Sequence, residues 1–364
     1  VAHCCAYGFL VDPVNIVAFL LSDPYTWPAP YMINFICIRL NIILYKSGHT
    51  FQMSNLAVIL ILPLFVLNVL TSATAGGSMM VLIVYSILLL KLYSYHEVNK
   101  WLREEWYFRM YQNRRIRGHS SKSEFNSINC HSWSQSVIVL CFSLDLYYFL
   151  LAPTLCYQMN FPRSPKIRMR FLLRRILEMV RVICFFIQYR MKITFEIDCF
   201  RLQIPNHFIW IVFFYGFFHS TLNFIAELMQ FADRRFYRDW WNSQTLTYYW
   251  SNSNMLLHKW SVRHIYRPMI ENGYTKWEGQ ASVFVLSALF HEYLIAVPFR
   301  MLRLWLFTGM MLQVLIAWVL SRYLKGLYGN AIVWLCIILG PPLGVLTYIH
   351  DYYVFEQLKI NQNK

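Results

Sequence analysis

Charge is scarce in this chain. Only 14% of its 364 residues are Asp, Glu, Lys or Arg, against about a quarter in ordinary soluble domains. Apolar side chains fill the deficit, reaching 57% with aromatics at 18%, which excludes a solvated globular domain. Acid is scarcest of all, with 18 Asp and Glu against 33 Lys and Arg, a formal charge of +15. A basic surplus can serve nucleic acid. Here the Lys and Arg gather between apolar runs, as in 103–122 and 163–175, where they mark the cytoplasmic side of a membrane protein. No nucleic-acid partner is expected.

Several chemical signatures are also missing. There is no G-x-S-x-G elbow, no H-E-x-x-H pair and no Gly-rich phosphate loop, so serine hydrolases, zinc proteases and phosphate-loop enzymes drop out. The nine cysteines are scattered, with Cys4-Cys5 as their only cluster. Neither a disulfide framework nor a metal site is indicated, and no cofactor is expected. The internal repeat common in carriers is not evident. The chain opens on Val1 without a charged and apolar leader, so the N-terminus is expected to be incomplete.

What the sequence has is long apolar runs. A helix needs about 20 predominantly apolar residues to cross a bilayer. Six stretches answer to that: 54–71, 78–95, 206–226, 281–298, 302–321 and 329–349. Two weaker ones, 31–45 and 176–190, are interrupted by Arg39 and Arg181 and bring the expected total to about eight. The whole chain, 1–364, reads as one all-α, polytopic membrane domain. Residues 137–157 contain Asp145 and Pro153 and have basic flanks on both sides, which favours a re-entrant or interfacial element over a crossing. Residues 96–136 read as a cytosolic basic loop, with Gly118 and several serines marking flexible chain. Residues 227–280 read as a second cytosolic connection, in which the aromatics of 236–250 suggest a helix lying in the interface.

His291-Glu292 interrupts the apolar run 281–298 near its centre. Ionisable groups at that depth cost at least about 2.5 kcal/mol on insertion scales and normally face a cavity or a partner. A histidine bonded to a neighbouring helix is the bland alternative; within a span, function outweighs it by roughly two to one. Ser287 lies four residues earlier on the same face, whereas Glu292 points about 100° away and could orient another helix. Asn254 with His258, and Met310 with Gln313, have helical spacing that lets each pair line one side of a cavity. Asn and Gln also join membrane helices to one another.

At Phe236-Tyr237-Arg238-Asp239-Trp240-Trp241-Asn242 the sequence resembles the F-Y-x-D-W-W-N motif of sterol and diacylglycerol acyltransferases, a branch of the membrane-bound O-acyltransferases. The tracts around His258-Lys259-Trp260, 146–175 and 287–294 are similar to the diacylglycerol side of that branch. The resemblance implies a helical bundle with a central tunnel, open to the cytosol for acyl-CoA and to the bilayer for diacylglycerol. It implies transfer of the acyl group to diacylglycerol, with a buried His291 as general base and residues 236–242 serving acyl-CoA. Asn254, His258, Met310 and Gln313 match positions lining the chamber; Tyr266, Lys276 and Ser287 match positions close to CoA. Glu292 is expected among the substrate contacts. The implied setting is a multi-pass protein of the endoplasmic reticulum membrane, homo-oligomeric in the family. Ser253, Gln280 and Pro341 depart from the family's pattern. The competing readings are a sterol acyltransferase and a non-catalytic lipid-binding homologue.

Overall fold

A computed structural model describes residues 49–69, 75–117, 145–193, 203–323 and 326–362. Among the described residues the backbone is helical apart from its connections, and the only extended pairing is an isolated bridge between Arg163 and Phe231. Ten helices follow in chain order among the described residues: α1 (His49–Val69), α2 (Ala75–Arg117), α3 (145–151), α4 (Met169–Ile193), α5 (203–228), α6 (Leu246–Ser253), α7 (255–271), α8 (Lys276–Phe299), α9 (Trp305–Tyr323) and α10 (Leu327–Gln362). Two of them widen into π turns, α5 at Tyr215–Thr221 and α7 at Val262–Tyr266.

Among the described residues four segments are long and apolar enough to cross a membrane: Gly77–Leu102, Trp210–Leu228, Lys276–Phe299 and Leu327–Tyr352. They make this a multi-pass membrane protein. The spans expected at 54–71 and 302–321 fall on α1 and α9, whose apolar parts, Gln52–Leu67 and Trp305–Ile316, are shorter than a full crossing. Residues 176–190 lie in α4, where repeated arginines keep the helix outside that set. Residues 31–45 lie outside the described residues. The expected total of about eight is therefore not confirmed: four of the expected spans are long and apolar enough among the described residues.

Two connections need correction. The basic loop expected over 96–136 is helical as far as Arg117, because its Glu, Lys, Arg and Trp residues continue α2 without a Gly or Pro to stop it; 118–136 lie outside the described residues. The interfacial helix expected over 236–250 forms only from Leu246. Residues 232–239 have no regular secondary structure, and Trp240–Asn242 make one 3-10 turn. The re-entrant element expected over 137–157 is described from residue 145, as α3 followed by irregular chain.

Lys91, buried on α2, anchors that irregular chain. Its Nζ donates to the carbonyls of Phe149, Leu150 and Ala152 at 3.0, 2.7 and 2.7 Å, satisfying the orphan acceptors at the end of α3. Leu56, Ile59, Tyr85, Leu92, Phe149 and Tyr157 pack the core between α1, α2 and this segment. At the other end of the bundle α8 packs against α9 and α2, and α9 against α10. These contacts set the frame in which His291 sits.

Candidate active site

α8 begins with a capping box. The Thr275 hydroxyl and Glu278 carboxylate serve each other's backbone N–H groups, at 3.4 and 2.7 Å. It ends at Arg300, in left-handed conformation (φ 52°), just after Pro298. Between these stops the helix is braced to α1, because Tyr293 Oη donates to the Leu60 carbonyl at 3.0 Å and Arg300 Nη2 to that of Leu67 at 3.2 Å.

His291 rides on this braced helix with its side chain exposed, not buried as the resemblance implies, because the described residues cover little of α8. Its Nδ1 lies 2.7 Å from the carbonyl oxygen of Ser287. A carbonyl only accepts, so Nδ1 carries the proton and Nε2 presents its lone pair outward. Among the described residues no hydrogen bond joins His291 to Asn254, His258 or Gln313.

The next residue faces the other way. Glu292 is 3% exposed and accepts the backbone N–H groups of Leu304 (3.0 Å), Leu306 (3.1 Å) and Phe307 (3.1 Å), together with the Tyr348 hydroxyl. A carboxylate from α8 thus caps the N-terminus of α9 and grips α10, the place where an acidic group suits the helix dipole. Leu304 turns left-handed (φ 57°) at this junction. The structure puts Glu292 in the helix-orienting position rather than beside His291's substrate face.

α9 carries Met310 and Gln313, both half-buried. Gln313 Nε2 donates to the Cys336 carbonyl on α10 at 3.2 Å. A Cβ at Gly340 would collide with the Gln313 side chain, so glycine there lets the amide lie flat on α10.

The seven-residue motif divides by burial. Phe236 (1% exposed) and Trp240 (4%) point inward, while Arg238, Asp239, Trp241 and Asn242 are open. Trp240 sits among Phe214, Leu246, Val333 and Ile337. The loop is held by backbone on one side, Arg238 N to Asn252 O at 2.9 Å and Met255 N to Phe236 O at 2.9 Å. On the other side Asn330 Nδ2 donates to the carbonyls of Trp241 and Ser243 at 3.1 and 2.9 Å, and Trp334 Nε1 to that of Trp241 at 3.0 Å. Tyr237 Oη lies 2.8 Å from His219 Nδ1 in the π turn of α5.

The same backbone pairs bring Asn254 against the motif. Its Oδ1 accepts the Leu257 N–H at 3.1 Å and caps α7, while its Nδ2 stays available. His258, one turn on, is half-buried; burial and then the nearby Arg238 guanidinium hold its pKa below the ordinary histidine value. Tyr266, at the end of the π turn, packs its ring where a Cβ on Gly279 would come within 3.0 Å, so α7 and α8 approach closely at the glycine. Lys276 is exposed at the start of α8, and Ser287 is half-buried one turn before His291. Upstream, buried Glu227 binds the Arg168 backbone N–H at 2.6 Å and side chain at 3.0 Å, and also Arg234, fixing the chain's approach to the motif.

His219, Asn330, Trp334 and Tyr348 escape a reading of the sequence. Each acts on a residue at least 18 positions away, and none has a spacing pattern of its own. For His219 the available signal is its place in the apolar stretch 206–226.

Residues 40–350 match the family described as MBOAT, membrane-bound O-acyltransferase. The chain is 46% identical to diacylglycerol O-acyltransferase 1 of Homo sapiens, across 96% of this chain and 76% of that protein. To the protein of that name from Bos taurus it is 45% identical across 96% and 77%, and to that from Dictyostelium discoideum 32% across 93% and 57%. Together with a helical, multi-pass architecture, these matches show that the chain belongs to the membrane-bound O-acyltransferase family.

Proposed function

We propose that the chain moves a fatty acyl group from acyl-CoA to the free hydroxyl of diacylglycerol, forming triacylglycerol and CoA, with His291 as general base. The 46% identity to the human diacylglycerol O-acyltransferase 1 along nearly the whole chain carries the reading. The lone pair on Nε2 of His291, set by the Ser287 carbonyl, supports the base.

The thioester already holds the driving force. Nε2 takes the hydroxyl proton as that oxygen attacks the thioester carbonyl carbon; the C–S bond then breaks and the proton passes to the departing sulfur. General-base assistance of this kind is worth about 10²- to 10⁴-fold. Asn254 through Nδ2, and Gln313 through the N–H not spent on Cys336, serve the carbonyl oxygen in this reading, where one well-placed donor contributes roughly 3–4 kcal/mol. His258 stays neutral, and Met310 lines the apolar side of the chamber. The open half of the motif, with Tyr266, Lys276 and Ser287, receives CoA, whose phosphates suit Arg238 and Lys276. Glu292 acts through α9 as a positioning residue. A tunnel, the endoplasmic reticulum membrane, a cytosolic motif loop and a homo-oligomer follow from the family resemblance.

Membranes containing the chain, given labelled acyl-CoA with paired diacylglycerol and cholesterol, should make triacylglycerol, and His291→Ala should lower turnover at least about a hundredfold. Preferred cholesteryl ester would move the assignment to the sterol branch. Full turnover by His291→Ala would remove the base.

A further inference from the structure

α4 packs one side against α5 and leaves the other open. On the open side Arg170, Arg174 and Arg181 follow at i, i+4 and i+11, with Leu173 and Leu177 between them, so all five share one face over about 16 Å of helix. They border an open cavity of about 520 Å³ that Tyr215, in the π turn of α5, also lines.

Glu178 is the one carboxylate in that lining, and it is already engaged. Arg175 Nη1 reaches it at 2.6 Å, Ser220 Oγ at 2.9 Å and Arg174 Nε at 3.2 Å. Among the described residues, Arg170 and Arg181 have no acidic partner. Arg170 and Arg181 therefore face the cavity without acid, while Arg174 shares Glu178 with Arg175, so three guanidinium groups stand against one carboxylate that Arg175 and Ser220 also engage. Arginines interleaved with leucines on a membrane protein need an anion that also brings hydrocarbon. A soluble phosphate would leave Leu173 (60% exposed) and Leu177 (52% exposed) bare.

We propose that this face of α4 binds an anionic glycerophospholipid, its phosphate on Arg170, Arg174 and Arg181 and an acyl chain along Leu173 and Leu177. The site abuts the acyl-CoA loop. Tyr215 stacks on His219 at 5.0 Å between ring centroids, and His219 holds Tyr237 of the motif. The proposal rests on the membrane reading and not on the identity of the acyl acceptor.

The test is native mass spectrometry of the full chain, extracted with equimolar phosphatidic acid and phosphatidylcholine of matched chains. Phosphatidic acid should be retained selectively. Arg181→Gln should cut that retention about fivefold, and the triple variant Arg170→Gln, Arg174→Gln, Arg181→Gln roughly a hundredfold, as expected for basic groups acting on an anionic lipid. Arg181→Leu, which suits a lipid-facing helix, should cut retention to a similar extent, about fivefold, without losing thermal stability. Equal retention of both lipids, or an unaltered triple variant, would overturn the proposal. Displacement of phosphatidic acid by inorganic phosphate or CoA at matched concentration would overturn it in favour of a soluble anion. Failure to make triacylglycerol would sink the acyltransferase reading and leave lipid retention untouched.

Discussion

The Tyr348 hydroxyl on α10 donates to the carboxylate of Glu292 on α8, and the same carboxylate caps α9. Three helices meet on one side chain, next to His291. Substituting Glu292 by Ala leaves three backbone donors and a hydroxyl without partners, at about 1–3 kcal/mol each. Gln keeps one acceptor but turns an NH2 toward donors. Glu292→Ala and Glu292→Gln should both lower the thermal midpoint in detergent by several degrees, Ala more. Tyr348→Phe, which removes one of four donors, should do less. His291→Ala should leave the midpoint in place while losing turnover. An unchanged midpoint for Glu292→Ala would show that the cap is dispensable.

The two adjacent tryptophans of the motif should fail differently. Trp240 is 4% exposed within an aromatic core, and Trp241 is 50% exposed. Trp240→Ala opens a cavity at about 3–5 kcal/mol and should be read out as loss of folded protein. Trp241→Ala should leave the fold intact and raise KM for acyl-CoA. Equal destabilisation by both would contradict the division of the motif into a buried and an open half.

Gly340 lies under the Gln313 side chain, so Gly340→Ala forces the amide off the Cys336 carbonyl. Because the colliding group is the far end of a flexible side chain, the stability cost should stay near the low end of the about 1–3 kcal/mol typical of overpacking. Turnover should fall by more than that cost accounts for. Gln313→Ala in the same background should add little further loss. Fully additive losses would separate the two positions.

Apolar runs and the histidine were legible in the sequence because they depend on local chemistry. The runs around 78–95, 206–226, 281–298 and 329–349 lie in helices long and apolar enough to cross a membrane, and the angle between His291 and Glu292 followed from helix geometry. The end of α2 was not legible: serines and a glycine drew attention to 118–123, while the helix-forming residues before them carried α2 to Arg117. The irregular form of 232–239 was hidden for another reason. The aromatics of 236–250 have helical spacing, yet Asn252 and Met255 take backbone groups of Arg238 and Phe236, and Asn330 and Trp334 take those of Trp241 and Ser243. Glu292's partners, 12 to 56 residues away, were equally out of reach.

His264 offers a test of stability against pH. It is 6% exposed, in the π turn of α7, with Nε2 at 2.9 Å from Ser94 Oγ and Nδ1 buried without a partner. Trp101 stacks on the ring at 5.6 Å, and Tyr93 and Trp260 close around it at 5.6 and 5.3 Å. Burial, and then the Arg263 guanidinium, push its pKa down to about 4, against about 6.5 in an unfolded chain. A base with a depressed folded-state pKa favours folding while it is neutral. Its contribution is therefore complete above about pH 6.5 and is lost as pH falls from there toward 4, where the unfolded chain binds the extra proton first. His264→Asn, which cannot titrate, should be less stable than wild type at pH 7.5, because it gives up the ring stacking. Its thermal midpoint should nevertheless fall less than that of wild type between pH 7.5 and 5. Carboxylates titrate in both proteins, so the difference between the two curves isolates the histidine. Parallel curves across that window would mean that His264 is not held neutral by its surroundings.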